Sequence, residues 1–338
     1  MDLTTRYLGL TLRSPLVASA SPLAQTVDGV RELDDAGVGA IVLHSLFEEQ
    51  VRREEVADLR VSELHDESFG EARSYFPDAP TLGYGGAAPY LTHLERAAAA
   101  SGVPVIASLN GSSRGGWTGI ARSMESAGAA AIELNVYAVP DLRVSGAAVE
   151  QRHVDILHAV KDVVSVPVAV KLSPWLSSTG ATCLELDRAG ADGLVLFNRF
   201  LQPDVDVERL VVEPAVSLSA PAESRLPRTW IAMLHGRVRA SLAGTTGVET
   251  AEDVAKYLLA GADVVMTASA LLRHGRSHAT RLLSGLEEWL SRKGFGSLEQ
   301  VRGLLAVGPD VELTSYERAG YVTALRRARE TYGSFRVD

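Results

Sequence analysis

The chain has 338 residues, 46% of them hydrophobic, which is enough for a large core in one barrel-sized domain or in two smaller ones. A net charge of −9 and a pI near 5.5 point away from nucleic acid as the main partner, because phosphate backbones are gripped by basic faces. No apolar run approaches the roughly 20 residues of a membrane span, and one cysteine, Cys183, allows neither an intrachain disulfide nor a cysteine-rich metal site. The first six residues also lack the apolar core of a secretory signal, so the expectation is a cytoplasmic protein with Cys183 as a buried, inert thiol.

In chain order, eight short apolar or β-rich runs read as strands: Pro15–Ala18, Ala40–Leu43, Pro104–Leu109, Ala130–Leu134, Pro167–Leu172, Gly193–Phe197, Val238–Ala243 and Asp263–Thr267. Most are continuous rather than alternating, as parallel strands covered on both faces require. Helical spacing lies between most of them. Ile120, Met124 and Ala127 form one stripe, and Ile156, Val160, Val163 and Val164 a second; Ala279, Leu282, Leu283, Leu286, Trp289 and Leu290 form the strongest, after the last strand. A short phrase recurs where a helix gives way to a strand, as Ala36-Gly-Val-Gly39, Ala127-Gly-Ala-Ala130, Ala189-Gly-Ala-Asp192 and Ala260-Gly-Ala-Asp263. Glycine there suits a left-handed helix cap. The four recurrences predict an α/β fold, a (β/α)8 TIM barrel, which takes about 250 residues. The surplus falls in a charged excursion after the second strand (Phe47–Thr81), a Pro-rich one after the sixth (Leu201–Leu226) and a C-terminal extension. The expected division is a barrel over 1–303 with an extension over 304–338 packed on it.

The stretch from Ala240 to Ser269 carries the densest signal. It reads as strand, glycine turn, helix, strand and a small-residue turn that opens a further helix. Two such turns at adjacent strand ends, Gly244-Thr-Thr-Gly247 and Ala268-Ser269, offer backbone N–H groups suited to a phosphate at the top of a barrel. The alternative is that the glycines only close a tight turn. The other strand ends are Ala18-Ser-Ala-Ser-Pro22, His44-Ser45, Asn110-Gly111, Glu133-Leu-Asn135-Val-Tyr137, Lys171-Leu-Ser173 and Asn198-Arg199. Neutral Asn and Ser groups suit the edge of a heteroaromatic ring, and Lys171 could hold negative charge at a ring nitrogen or oxygen, which is flavin-site chemistry. A metal site fits less well, for want of a clustered His and carboxylate set. A lysine buried without a partner is expensive, so Lys171 is assigned a functional role, with Glu133 as a candidate ion-pair partner inside the barrel. Asn135 and Asn198 could instead satisfy loop backbone, and His44 is open between a loop hydrogen-bonder and a site residue.

Taken in order, Ser-Pro, His-Ser, Ser-Leu-Asn-Gly, Glu-Leu-Asn, Val-Lys-Leu-Ser-Pro, Phe-Asn-Arg-Phe, Ala-Gly-Thr-Thr-Gly-Val and Ala-Ser-Ala-Leu-Leu resemble the dihydroorotate dehydrogenase family, most of all its dihydroorotate dehydrogenase-like branch. The similarity runs from about Leu3 to Trp289. It implies a (β/α)8 barrel with FMN at its top, which oxidises dihydroorotate to orotate in pyrimidine biosynthesis by passing hydride to the flavin, and a homodimer. By that resemblance Ala18, Ser19 and Ser45 line the flavin. Asn110 belongs to the flavin-binding set, Asn135 and Asn198 contact flavin or substrate, and Lys171 approaches the N1–C2 edge of the ring. Gly244, Thr245, Thr246, Gly247, Ala268 and Ser269 receive the phosphate.

The chain departs from the family at several of these positions. The cysteine or serine base three residues beyond the fourth-strand asparagine is Ala138, and the Pro-Asn pair that follows is Val139-Pro140. The lysine that ends the second strand is His44, the Gly-Gly of the first phosphate turn is Thr246-Gly247, and a glycine of the second is Ala268. Acid–base help is worth about 10²–10⁴-fold, so dihydroorotate is only the nominal substrate. Tyr137 and His44, expected on the same rim, are the candidate replacements, and Lys171 completes the catalytic set. A phenol is a poor base but a fair acid, which favours reduction of an activated double bond. A β-branched residue tolerates positive φ poorly, so the first phosphate turn is expected to be reshaped.

Two readings follow: an FMN-dependent oxidoreductase acting on a CH–CH or C=C bond of a small cyclic substrate, and a non-oxidative barrel that binds another phosphorylated ligand or serves as an assembly subunit. A Schiff-base role for Lys171 leaves the asparagines without a purpose. One cysteine cannot hold an iron–sulfur centre, so any such relay needs a separate electron-transfer partner.

Overall fold

A computed structural model describes residues 1–51, 87–111, 117–137, 142–199, 203–213 and 217–333. Eight parallel strands close into a barrel: β1 (Leu16–Ala18), β2 (Ala40–Phe47), β3 (Val105–Gly111), β4 (Ala131–Val136), β5 (Val168–Leu172), β6 (Gly193–Leu196), β7 (Ser241–Gly244) and β8 (Val264–Thr267). Each pairs with the next, and β8 returns to β1. Helices α1 (Val27–Asp35), α2 (Ala87–Ala100), α3 (Trp117–Ser126), α4 (Gly146–Lys161), α5 (Thr179–Arg188), α6 (Arg225–Leu234) and α7 (Ala251–Ala260) alternate with the strands, and α8 (Ser269–His274) and α9 (His278–Lys293) follow the last. This is the expected (β/α)8 TIM barrel.

The recurring phrase works through its glycine and, twice, its aspartate. Gly37, Gly128, Gly190 and Gly261 have φ between +90° and +112°, a left-handed turn that glycine enters without steric cost. Where the phrase ends in aspartate, the carboxylate clamps the new strand to its neighbour. Asp192 Oδ2 accepts from the Val168 N–H at 2.8 Å, and Asp263 Oδ2 from the Leu242 N–H at 2.7 Å.

Two apolar layers hold the barrel. Val17, Val42, Ile106, Ala169, Val195 and Met266 are among the residues that fill its interior, and a larger cluster packs the strands against the helices. An N-terminal hairpin, Thr5–Tyr7 with Leu10–Leu12, adds Tyr7, Leu8 and Leu12 to the interior cluster. The Thr5 hydroxyl donates to the Asp263 carbonyl (2.8 Å), and the Leu8 N–H to Ser241 Oγ (3.1 Å). Both acceptors stand at the N-terminal ends of β8 and β7, so the hairpin closes the bottom of the barrel and the polar strand ends occupy the top.

The strands differ from their sequence runs at two places that matter. β2 continues to Phe47 through a register shift against β3 between Val42 and Ser45. β7 begins at Ser241, not Val238, because Asp187 Oδ1 takes the N–H groups of Arg239 and Ala240 (both 2.8 Å). Of the first excursion, 52–81 lie outside the described residues. Of the second, 201–202 and 214–216 do; the rest contains an antiparallel hairpin, Asp204–Asp206 with Val211–Glu213, and a turn at Pro221–Ser224 that leads into α6. Of the C-terminal extension, 334–338 lie outside. Its first part is strapped to the barrel, with Leu305 N–H on the Leu259 carbonyl and Val307 N–H on that of Ala232 (both 2.8 Å). Helix α10 (Leu313–Tyr332) follows, with its described side chains almost all exposed. Among the described residues no helix is long and apolar enough to cross a membrane.

Candidate active site

Strand register assembles the site. Phe47 pairs with Asn110, Asn110 with Asn135 and Asn135 with Lys171; two residues earlier Ser45, Ser108, Glu133 and Ala169 pair in the same way. Ala169 belongs to the interior cluster, so by the two-residue period both rows face into the barrel. Lys171 and Glu133 are 7% and 1% exposed, and Lys171 Nζ lies 3.2 Å from Glu133 Oε1 and 3.5 Å from Ser19 Oγ. Glu133 Oε2 has no hydrogen-bond partner among the described residues. The lysine therefore has the carboxylate partner that its burial demands. Beside it, Asn198 Nδ2 donates to Asn135 Oδ1 (2.8 Å), and Asn198 Oδ1 accepts from the Arg199 N–H (2.9 Å), which fixes both amides. Ala18 ends β1, and the Ser19 N–H reaches the Thr267 carbonyl on β8 (3.0 Å).

The two turns after β7 and β8 rest on a buried tyrosine. A Cβ on Gly244 would fall 2.3 Å from the Tyr257 ring, so only glycine lets that ring lie beneath the turn. The Tyr257 hydroxyl, whose pKa burial raises, sits 2.7 Å from both the Thr245 and Thr246 carbonyls. In a trans peptide the N–H points opposite to the C=O, so the N–H groups of Thr246 and Gly247 aim away from Tyr257. Thr246 itself takes φ +81°, followed by Gly247 at +70°, and its hydroxyl donates to the Phe197 carbonyl (3.2 Å). The left-handed backbone costs a residue with a Cβ about 1–2 kcal/mol.

One residue here has no signal in the sequence. Ser219, from the second excursion, bridges both turns: its Oγ accepts from the Gly247 N–H (3.1 Å) and its N–H donates to Ser269 Oγ (3.0 Å). Arg273 donates to its carbonyl (3.3 Å). A cavity of about 260 Å³ opens at this point, lined among others by Ser19, Lys171, Asn198, Thr245–Gly247, Ala268 and Ser269.

The remaining predicted residues do not line that cavity. Ser45 Oγ pairs with Ser108 Oγ at 2.8 Å. Asn110 stands between Phe47 and Asn135, and Tyr137 follows β4, its N–H on the Gly111 carbonyl (3.0 Å). Ala138 lies outside the described residues. His44 is turned toward α2, with its ring centroid 5.2 Å from that of Tyr90 (edge-on) and 5.9 Å from that of His93. Burial, and then the charge of His93, lower its pKa to about 4. Among the described residues no group of three or more His, Cys, Asp or Glu could hold a metal.

A family model described as Dihydroorotate dehydrogenase matches residues 2–290. The chain belongs to the dihydroorotate dehydrogenase family. It is thereby a member of the flavin-dependent oxidoreductases that act on CH–CH bonds. Among its relatives are two proteins named dihydroorotate dehydrogenase B (NAD(+)), catalytic subunit. That of Methanothermobacter thermautotrophicus is 30% identical over 60% of this chain and 69% of its own length. That of Thermoplasma acidophilum is 26% identical over 90% and 98%. A putative dihydroorotate dehydrogenase A (fumarate) of Aeropyrum pernix is 31% identical over 60% and 67%.

Proposed function

We propose that this chain uses FMN to oxidise or reduce a CH–CH or C=C bond of a small cyclic substrate, with dihydroorotate as the nominal one. The observation that carries this reading is the convergence of Lys171, Asn198 (held by Asn135) and the two N–H-bearing turns around one cavity. The donor set suits FMN in chemistry. Gly247 adds a cradle that only glycine fits, since a Cβ there would fall 2.7 Å from the Ala220 carbonyl.

Bound there, FMN would supply the two-electron chemistry of hydride exchange. Gly244–Gly247 with Ala268 and Ser269 would hold its phosphate. Ala18, Ser19, Ser45 and Asn110 would flank the ring, Asn135 and Asn198 would orient ring or substrate, and Lys171 would stabilise negative charge at the ring edge. The proton at the adjacent carbon falls to Tyr137, because Ala138 has none to exchange. His44, kept neutral by burial and facing α2, supports that role less well. A phenol donates more readily than it accepts near neutral pH, which favours reduction of an activated double bond over oxidation of dihydroorotate.

Electrons would pass to or from a separate partner. The support is the lone, buried Cys183, its thiol pushed up to about 12 by burial, together with the relatives named as catalytic subunits. A cytoplasmic homodimer fits the exposed apolar side chains of Val205, Val207, Leu210 and Val212 around the second-excursion hairpin. One observation favours the second reading, a non-oxidative barrel: the Gly247 N–H already has an acceptor in Ser219.

Anaerobic titration of the oxidised protein with dihydroorotate, and of the dithionite-reduced protein with cyclic compounds bearing an activated C=C bond, tests the proposal. Turnover of the reactive compound should fall about 10²–10⁴-fold in Tyr137→Phe and much less in His44→Asn. Unchanged turnover in Tyr137→Phe would remove the tyrosine from the mechanism.

A further inference from the structure

Two elements of the chain stand clear of the barrel. Among the described side chains of helix α10 only those of Leu313 and Ala328 are half-buried, and Tyr321 is 61% exposed. The hairpin after β6 is the other element: from Asp204 to Glu213 every residue but Asp206 is exposed, and Val207 is 71% exposed. A helix draws most of its stability from packing one face, and a lone two-stranded hairpin is marginal in water. Each therefore calls for a cover. The root of α10, in contrast, is fixed. At the bottom end of α6 the Arg237 guanidinium donates to the carbonyls of Val307, Gly308, Pro309 and Val311 (2.9, 2.6, 3.2 and 3.1 Å).

The two surfaces are complementary. On α10, Arg318, Tyr321, Leu325 and Arg329 follow one another at helical spacing, and Val322 lies beside them, so an apolar patch is bracketed by an arginine one turn away at each end. From Leu313 to Tyr332 the helix carries four arginines against Glu317 and Glu330, a local charge of +2 on a chain of −9. The guanidinium groups of Arg318, Arg326, Arg327 and Arg329 have no hydrogen bond or ion pair among the described residues. The hairpin is the reverse, with Asp204, Asp206, Glu208 and Glu213 against Arg209, a local charge of −3. Arg209 lies 3.5 Å from Asp206 and 3.8 Å from Glu213, which leaves Asp204 and Glu208 without an ion pair among the described residues. Val205 pairs with Val212 across the strands, and the turn adds exposed Val207 and Leu210. Arg318 and Arg329 stand about 16 Å apart along the helix axis and Asp204 and Glu208 about 13 Å apart along an extended strand, a difference that two long side chains span.

We infer that α10 of one copy seats on the hairpin of a second copy, with Tyr321, Val322 and Leu325 on the valines and Arg318 and Arg329 on Asp204 and Glu208. The reciprocal contact closes a two-fold dimer. Within one chain the hairpin follows the top of β6 while α10 is rooted at the bottom end of α6, and both stay uncovered. A purely apolar partner would leave the arginines unpaired, and a purely anionic one would leave the apolar patch wet. The inference rests on the homodimer of the proposed function and names what joins it; FMN has no part in it. Each contact is short, so the dimer should dissociate in the micromolar range and weaken with added salt.

The test is sedimentation of the full-length protein over a concentration series, with the charges of the two surfaces exchanged. Arg318→Glu with Arg329→Glu should weaken dimerisation about tenfold or more, and Asp204→Arg with Glu208→Arg should do the same. The chain that carries all these substitutions should dimerise within about threefold of the parent, a recovery that damage to either element alone would not give. Leu325→Asp should weaken the dimer as well. A parent that is monomeric at every concentration overturns the inference and the proposed homodimer together, and leaves the flavin reading standing. A dimer unmoved by the exchange on α10, or weakened by both exchanges without recovery in the combined chain, overturns the inference and keeps the homodimer. Binding of the parent to phosphatidylserine vesicles that the α10 exchange abolishes, with dimerisation unmoved, gives the helix to a membrane surface and overturns the inference too.

Discussion

From β4 through β8 to β1 the polar groups of the rim are tied to the residues of one cavity, whereas those of β2 and β3 have partners away from it. In the first half Lys171 is held by Glu133, Asn198 by Asn135, the turn carbonyls by Tyr257, and both turns by Ser219. In the second, Ser45 pairs with Ser108 and His44 packs on α2. The support beneath the turn goes with a left-handed backbone at Thr246, a residue with a β-branch.

The hardest way to break this contrast is to remove the anchor of the first half. Lys171→Met leaves Glu133 buried without its partner and should cost about 3–5 kcal/mol in urea unfolding. A loss below about 1 kcal/mol would mean that the pair is no anchor. Next comes the support of the turn. Tyr257→Phe strips the donor from the Thr245 and Thr246 carbonyls and should cost about 1–3 kcal/mol, the range for leaving a buried acceptor unsatisfied. Thr246→Gly should do the reverse and add about 1 kcal/mol by relieving positive φ, less whatever its hydroxyl bond to Phe197 contributes.

The smallest effect lies in the other half and is a matter of pH. His44 is lowered from 6.5 to about 4 by burial and by His93, so the folded protein prefers the neutral ring. Its contribution is present above about pH 6.5. As pH falls from there toward 4 the unfolded chain takes up the proton first, and stability declines. Urea midpoints measured across that window should slope less steeply in His44→Asn. Buried His153, lowered in the same direction, leaves a residual slope in the variant.

The barrel was legible because its signals are local: continuous apolar runs, and a glycine phrase at four helix–strand junctions. The Lys171–Glu133 pair was legible for a similar reason, since a lysine on an apolar strand demands a partner and a carboxylate sat on the neighbouring strand. His44 was not. Counting in twos from Ala40 and Val42 points it inward, but the register shift before Ser45 gives the inner place to Ser45 and turns His44 toward α2. A pairing irregularity has no signature within one strand. Ser219 escaped because its partners lie 28 and 50 residues away, and the N-terminal hairpin because three-residue strands carry too little pattern.

The measurement that bears most directly on the account is the visible spectrum of freshly purified protein, followed by release and identification of any flavin. The account predicts the bands of oxidised flavin and FMN as the released species, with the colour lost in Lys171→Met. A colourless protein that FMN fails to reconstitute would contradict it and would make the tied half-rim the binding site of some other phosphorylated ligand.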